Sequence, residues 1–363
     1  MDENLTVSAT LTPLAAQLTS GATRPQLVGY CGVLTPQRLD APALETAALS
    51  KEAAAHDLGW MRRVEIRGED RIRWLSGMVT NMVKDIPENG GAWNLVLNAQ
   101  GRIQGDLTVW RDSDVLELEI AADQYEKLMV HLDRFIIMDD VELVPHDLAA
   151  ETAVGLTGPK AGAVLGRLGL PVPSESMRSL HCEWNGFDLI IRQTFGTLAR
   201  HFEIWAPVAG LALLWRALST AGAIPTGAAS LDAFRIAEGI PIYGIDIAER
   251  DLPQETSQIR ALHFNKGCYL GQEIVERIRS RGNVHRHLQQ VELSGALPTH
   301  GTELFLDGAA AGRITSAAEL PLDSGSRRFA LAMIRNEAEI THQPLSYGDN
   351  AGTAKILTQP PAL

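Results

Sequence analysis

The chain has 363 residues, is 45% apolar and carries a formal charge of -12, which leaves room for two or three domains with sizeable cores and opposes generic binding to a phosphate backbone. Its three cysteines, Cys31, Cys182 and Cys268, are far apart and odd in number; this argues against a disulfide framework or a C-x-x-C metal site, so no metal centre is expected and a reducing cytoplasm fits best. No apolar run approaches the roughly eighteen residues of a membrane span, and Met1-Asp2-Glu3-Asn4 has neither the positive start nor the apolar core of a signal peptide.

Residues 1–25 are rich in Thr, Ala, Ser and Pro without a firm period and read as a partly ordered lead-in. The first α+β lobe is expected over residues 26–150. Within it, apolar spacing predicts a helix from Leu44 to Leu58, ended by Gly59, and alternation predicts a strand over Arg63 to Gly68. Asp70 then stands as N-cap of a helix carrying Ile72, Trp74, Leu75 and Met78. Strands are expected over Trp93 to Asn98 and Ile103 to Trp110, with Asn98-Ala99-Gln100-Gly101 as the turn between them. A strand from Val115 to Ile120, a helix from Gln124 to Phe135 and a strand from Val141 to Val144 complete the lobe. Hairpins mixed with helices indicate an α+β class, not a doubly wound parallel sheet.

A second α+β lobe is expected over residues 151–284. It repeats the same texture: strands near Ala153 to Leu156, Phe187 to Ile191 and Phe202 to Trp205, and helices over Ala161 to Leu168, Val208 to Ala221 and Ser230 to Ala237. The shared order suggests a structural duplication without a sequence repeat. From residue 285 to 363 short alternating runs separated by Gly, Pro and Asp, among them Leu288 to Leu293 and Phe329 to Ile334, predict an antiparallel β-barrel.

The most chemically loaded stretch is Asn265-Lys266-Gly267-Cys268-Tyr269-Leu270-Gly271-Gln272-Glu273-Ile274-Val275-Glu276-Arg277. A helix beginning at Gln272, with Ile274, Val275 and Ile278 inward, sets Cys268 just ahead of a helix N-terminus and two residues from Lys266. Both features favour thiolate over thiol. A structural cysteine in a tight turn is the other reading of the same residues. Arg277, Arg279, Arg281, His285, Arg286 and His287 follow as a basic island, either a solvated face or a site for a small polyanion.

Read as Lys-Gly-Cys-Tyr-x-Gly-Gln-Glu with Arg277 four residues beyond the glutamate, this motif resembles the signature of the YgfZ branch of the YgfZ/GcvT folate-binding family. Similar fragments run from Val64 to Arg71, Leu97 to Ile103, Leu132 to Ile137, Gly239 to Pro241 with Asp246, and Leu252 to Glu255. The resemblance implies a T-protein-like fold of two α+β lobes, the first ferredoxin-like, and a C-terminal barrel around a folate cavity. It implies tetrahydrofolate, free or polyglutamylated, as cofactor. It also implies a non-transferase role in assembly or repair of iron–sulfur proteins, with an indirect effect on iron–sulfur-dependent tRNA modification; the expected partners are folate and iron–sulfur client or assembly proteins. Cys268 would be the reactive group with Lys266 beside it, and Tyr269, Gly271, Gln272, Glu273 and Arg277 would support the loop. Candidate folate contacts are Asn81, Trp93, Asn98, Asp106, Arg235 and Glu238.

The alternative is a folate-dependent aminomethyltransferase. That branch of the family carries an aspartate pair after its Leu-Asn-x-x-Gly-Gly turn; aligned on Leu97 to Gly101, Gly105 stands at the first and Asp106 at the second. Glycine cannot ionise, so the expected pocket acid is missing unless Asp106 is turned to the pocket face of its strand.

Overall fold

The computed structural model describes residues 10–21, 24–112, 115–282, 284–349 and 351–363, with Arg281 lacking a described side chain; residues 1–9 of the lead-in and Asn283 beside the barrel boundary lie outside that description. Two units of the same order, strand, helix, three strands, helix, strand, run from Met61 to Thr226. The first runs Met61–Arg67, Arg71–Met78, Gly90–Leu97, Ile103–Asp112, Val115–Ala121, Ala122–Asp133 and Glu142–Pro145; the second runs Glu151–Thr157, Ala161–Arg167, Arg178–Trp184, Phe187–Thr194, His201–Pro207, Leu211–Thr220 and Ile224–Thr226. The suggested duplication is therefore structural and complete.

Both units contribute to one eleven-stranded sheet. Within each, the second, third and fourth strands are neighbours and the first strand follows the fourth. The units meet second strand to second strand, with Arg178 opposite Gly90 and backbone bonds from Gly91 N to Met177 O and from Ser179 N to Asn89 O. The second unit differs only in admitting Ala54–Asp57 between its first and last strands.

That strand corrects the predicted helix of residues 44–58. The helix spans only Pro42–Lys51, and Ala54–Asp57 pairs antiparallel with Glu151–Thr157 and parallel with Ile224–Thr226. Ala53, Ala54 and Ala55 favour a helix in isolation, but all three are buried, and a strand lets this apolar run pair on both edges inside the sheet. Gly155 opposite His56 makes the fit possible: a Cβ there would lie 1.8 Å from the imidazole. The sequence patterns also missed Arg178–Trp184, Ile224–Thr226, Leu345–Tyr347 and a hairpin of Leu27–Tyr30 with Val33–Pro36. In the lead-in, Pro13–Thr19 is helical with Leu14 and Ala15 buried. Thr12 and Thr35 both donate to the buried Asp57 carboxylate, which ties this segment to the sheet.

The two halves of the sheet meet across a charged seam. Arg192 is paired with Glu117 and Glu119 and lies over the Trp110 ring; Arg63 joins Glu117 and Glu151 and lies over Trp205. Helices cover each half outside, packing separate apolar cores around Leu75, Val96 and Leu128 in the first unit and around Leu165, Phe202 and Leu214 in the second.

The C-terminal strands close into a six-stranded barrel, in the order Arg286–Gly295, Arg327–Arg335, Ala309–Leu320, Glu303–Leu306, Leu345–Tyr347, Gly352–Ile356. A bulge between Ile314 and Ser316 lets Thr315 and Ser316 both donate to Asp246 Oδ1, at 2.6 and 2.5 Å. Arg235 of helix Ala228–Glu238 closes the staple, bonding Asp246, Asp232, Ile240 O and Ser316. A shared core, with Leu95, Ile103, Phe234, Val275, Leu331 and Met333, fills the junction of sheet, helices and barrel.

Candidate functional site

Strand alternation decides which acid faces the barrel side of the sheet. Asp106 lies opposite Leu95, Gly105 opposite Val96, and Gln104 is the extra residue of a bulge before Leu97 pairs with Ile103. Leu95 belongs to the junction core and Val96 to the helix-covered core. Gly105 accordingly faces the helix, where a Cβ would lie 2.8 to 2.9 Å from Gln124 and Leu128. Asp106 faces the other way, on the same side as Trp93. Asp106 thus lies on the face away from the helix, the orientation that a stand-in for the Gly105 position requires.

Asp106 Oδ2 accepts from Trp93 Nε1 at 2.8 Å and Oδ1 from Gln124 Nε2 at 3.0 Å, while its own N–H donates to Gln124 Oε1. Its side chain is half-buried. Desolvation pushes its carboxyl up, against the opposing pull of these hydrogen bonds and the nearby Arg260 charge. The Arg260 guanidinium lies 4.3 Å from the Trp93 ring centre and 3.9 Å from that of Phe195. Burial lowers Arg260 to about 10, with Asp106 and Glu238 pulling it back up. Neither Arg260 nor Phe195 carried a usable sequence signal; only proximity to the Leu252 to Glu255 fragment marked the former.

The N-terminal hairpin tip lies near these residues. Cys31 and Gly32 form its two-residue turn with φ of 47° and 86°, the geometry of a tight hairpin. Gly32 is required by packing too, since a Cβ would lie 2.8 Å from Asp123 N at the start of helix Ala122–Asp133. Cys31 is in electrostatic reach of Asp123, Arg235 and Asp106, and burial pushes its thiol up. Tyr243 likewise feels Asp106.

The other predicted folate contacts are committed elsewhere. Asn81 Nδ2 bonds Trp93 O and Arg260 O, and its Oδ1 accepts from Met82 N. Asn98 caps its own turn, accepting from Gln100 N and Arg102 N. Glu238 Oε1 accepts from the backbone of Thr197, Leu198 and Ala199, and Oε2 pairs with His201 at 2.7 Å. Arg235 is the barrel staple. Of the six candidates, Trp93 and Asp106 are bonded to one another, while Asn81 and Glu238 position the segments that carry Trp93, Arg260 and Phe195.

The Lys266 to Arg277 motif lies apart from Asp106. Lys266 Nζ donates to Val79 O and Asn81 O, both at 2.6 Å, and lies 5.0 Å from the Tyr269 ring centre. Burial lowers it to about 8. Its amine secures the loop to the neighbouring chain, which corrects the expectation that it serves the Cys268 thiol. Cys268 is exposed, separated from helix Gln272–Arg281 by Tyr269 to Gly271. Gln272 Oε1 accepts from Tyr269 N. Glu273 and Arg277 are exposed and form no side-chain ion pair among the described residues. Gly271, at φ 82°, packs against the Leu97 to Gly101 turn; a Cβ would lie 2.6 Å from Asn98 O. In the basic island Arg286 pairs with Asp251 and Glu255, His287 with Glu339 and Arg279 with Glu276, while Arg277 stays without an ion pair among the described residues.

Among the described residues no group of three or more His, Cys, Asp or Glu side chains is placed to hold a metal, and no helix is long and apolar enough to cross a membrane. The sequence profile of the GCVT N-terminal domain family matches residues 25–266. An aminomethyltransferase of Chlorobium chlorochromatii is 28% identical over 77% of this chain and 78% of its own length. A putative chloroplastic transferase of Arabidopsis thaliana is 24% identical over 81% of this chain and 68% of its own. The crystal structure of the glycine cleavage system aminomethyltransferase T from Bartonella henselae superimposes with a TM-score of 0.84, covering 97% of both chains at 19% identity.

Proposed function

Because this chain belongs to the GCVT N-terminal domain family, we propose that it is a tetrahydrofolate-dependent aminomethyltransferase with Asp106 as its pocket acid. The observation that carries this reading is a carboxyl held by Trp93 and Gln124 on the sheet face away from the helix, pushed up by burial and flanked by Arg260. The residues fit a folate: the Trp93 and Phe195 rings offer flat apolar surface for a pterin or aminobenzoyl ring, and Arg260 between them offers a cation to a carboxylate or carbonyl. When bound, tetrahydrofolate would supply the amine nitrogens, one in the pterin ring and one outside it, that take up the one-carbon unit.

The protein's part is to hold and move one proton. Asp106 as carboxylate would accept an N–H proton of the bound folate, and its raised pKa brings it closer to the working pH of a general base. Trp93 and Gln124 fix the carboxyl in place, and Arg260 stabilises its ionised form. Because the pKa is raised, kcat/KM should start to fall with decreasing pH at a higher pH than an ordinary carboxylate would give. Calorimetric titration with tetrahydrofolate tests the binding half of the proposal. Wild type should bind, and Trp93→Ala should bind about tenfold more weakly or worse through lost ring contact. Absence of binding to wild type overturns the folate assignment.

A second reading, the iron–sulfur assembly or repair role with its effect on tRNA modification, rests on the exposed Cys268 in the Lys266 to Arg277 signature. It predicts folate binding without turnover, and loss of cellular complementation on Cys268→Ala.

A further inference from the structure

A cavity of about 700 Å³ opens beside the motif, lined by Ile72, Met82, Lys84, Arg111, Lys266 and Cys268. Its volume is that of a small-molecule site. Asp106, Trp93 and Arg260 are not among its lining residues. Its charge is opposite to that of the whole chain, which carries -12. Lys84 forms no ion pair among the described residues. Arg111 donates to the carbonyls of Lys84 and Ile86, which orients its guanidinium without neutralising it. Lys266 is only 8% exposed and its ammonium rests on two carbonyls with no carboxylate partner. Against these stands Glu69; Arg73, also at the wall, is engaged by Asp70 and Asp139. A buried cation without a counter-ion beside two further cations favours an anionic occupant, and Ile72 and Met82 supply apolar contact.

We propose that this cavity binds a small disulfide bearing carboxylates and that Cys268 exchanges with it. The Cys268 sulfur, as thiolate, attacks one sulfur of the bound disulfide; the S–S bond breaks, one half becomes joined to Cys268 as a mixed disulfide, and the other departs as a thiolate. The two electrons that reduce the departing half come from Cys268, so the disulfide is itself the oxidant. Lys84 and Arg111 hold the carboxylates.

The test compares oxidised glutathione, which is anionic, with cystamine, which is cationic, following intact mass and locating the adduct by peptide mapping. The wild-type protein should form the glutathione adduct at Cys268 about fivefold faster than the cystamine adduct, as expected for steering by local charge, and added salt should narrow the difference. Lys84→Glu should reverse the preference while leaving tetrahydrofolate binding unchanged, and Cys268→Ser should abolish the adduct. Equal rates for the two reagents, a preference for cystamine, or adducts chiefly at Cys31 or Cys182 would overturn the proposal. None of these outcomes depends on the transferase reading, which is tested separately by turnover.

Discussion

Single side chains divide this molecule's chemistry between two places. Asp106 is held by Trp93 and Gln124, and Cys268 lines a cavity that does not include Asp106. Burial pushes the Cys31 and Cys182 thiols up, whereas Cys268 is exposed. Iodoacetamide at neutral pH should therefore modify Cys268 first, and equal rates at all three sites would contradict this accounting of burial. Lys266 offers a second check. Its folded value of about 8 lies below its ordinary 10.5, so between those values the unfolded chain holds the extra proton and stability rises with pH. The gain is at most about 1.4 kcal/mol per pH unit. Denaturant midpoints measured from pH 8 to 10.5 should show this gain in wild type and lose it in Lys266→Met. What the sequence made legible at this scale was residue type, and what it hid was direction. Asp106 and Trp93 were identifiable, but the bulge at Gln104 ahead of Asp106 leaves no mark in composition, and Arg260 stands in a single 3-10 turn, Ile259–Ala261, too short to show a period.

At the scale of elements, close approach and buried charge do most of the specifying. The Leu97 to Gly101 turn and the Gly271 loop, two of the fragments that carried the family resemblance, pack directly on one another: a Cβ on Gly101 would lie 2.8 Å from Ile274. Gly271→Ala adds both a Cβ clash and a side chain at φ 82°. It should lower stability by about 1 to 3 kcal/mol, read as a fall in urea midpoint at unchanged slope. The interlobe seam carries a larger penalty. Arg192 is 2% exposed and opposes Glu117 and Glu119, so Arg192→Leu strands buried carboxylates and should cost about 3 to 5 kcal/mol. A loss below about 1 kcal/mol would show that the seam is wetter than its geometry indicates. Strands and helices with a clear period were predicted within a few residues, from Met61–Arg67 through Leu211–Thr220. The misses were Ala54–Asp57 and short or mixed strands such as Arg178–Trp184, where neighbouring strands, not local pattern, decide the conformation.

Over the whole molecule, a duplicated unit supplies a continuous sheet, a barrel closes one side, and an N-terminal hairpin reaches the neighbourhood of Asp106. The α+β class, the two lobes and the barrel were readable from texture. The single eleven-stranded sheet was not, because it depends on one edge contact between Arg178 and Gly90. The Arg235, Asp246, Thr315 and Ser316 staple joins the barrel to the lobes, and Asn81 joins Trp93 and Arg260 to Lys266 of the Cys268 cavity. Relatives of this chain are named as an aminomethyltransferase and a putative transferase. The most direct test is conversion of tetrahydrofolate to its methylene form with an aminomethyl donor, comparing wild type with Asp106→Asn. Wild type should turn over, and the variant should still bind tetrahydrofolate but react about 100-fold more slowly or worse. Wild type that binds tetrahydrofolate yet forms no methylene product, or a variant with undiminished turnover, would contradict the assignment of Asp106 as the pocket acid of a transferase.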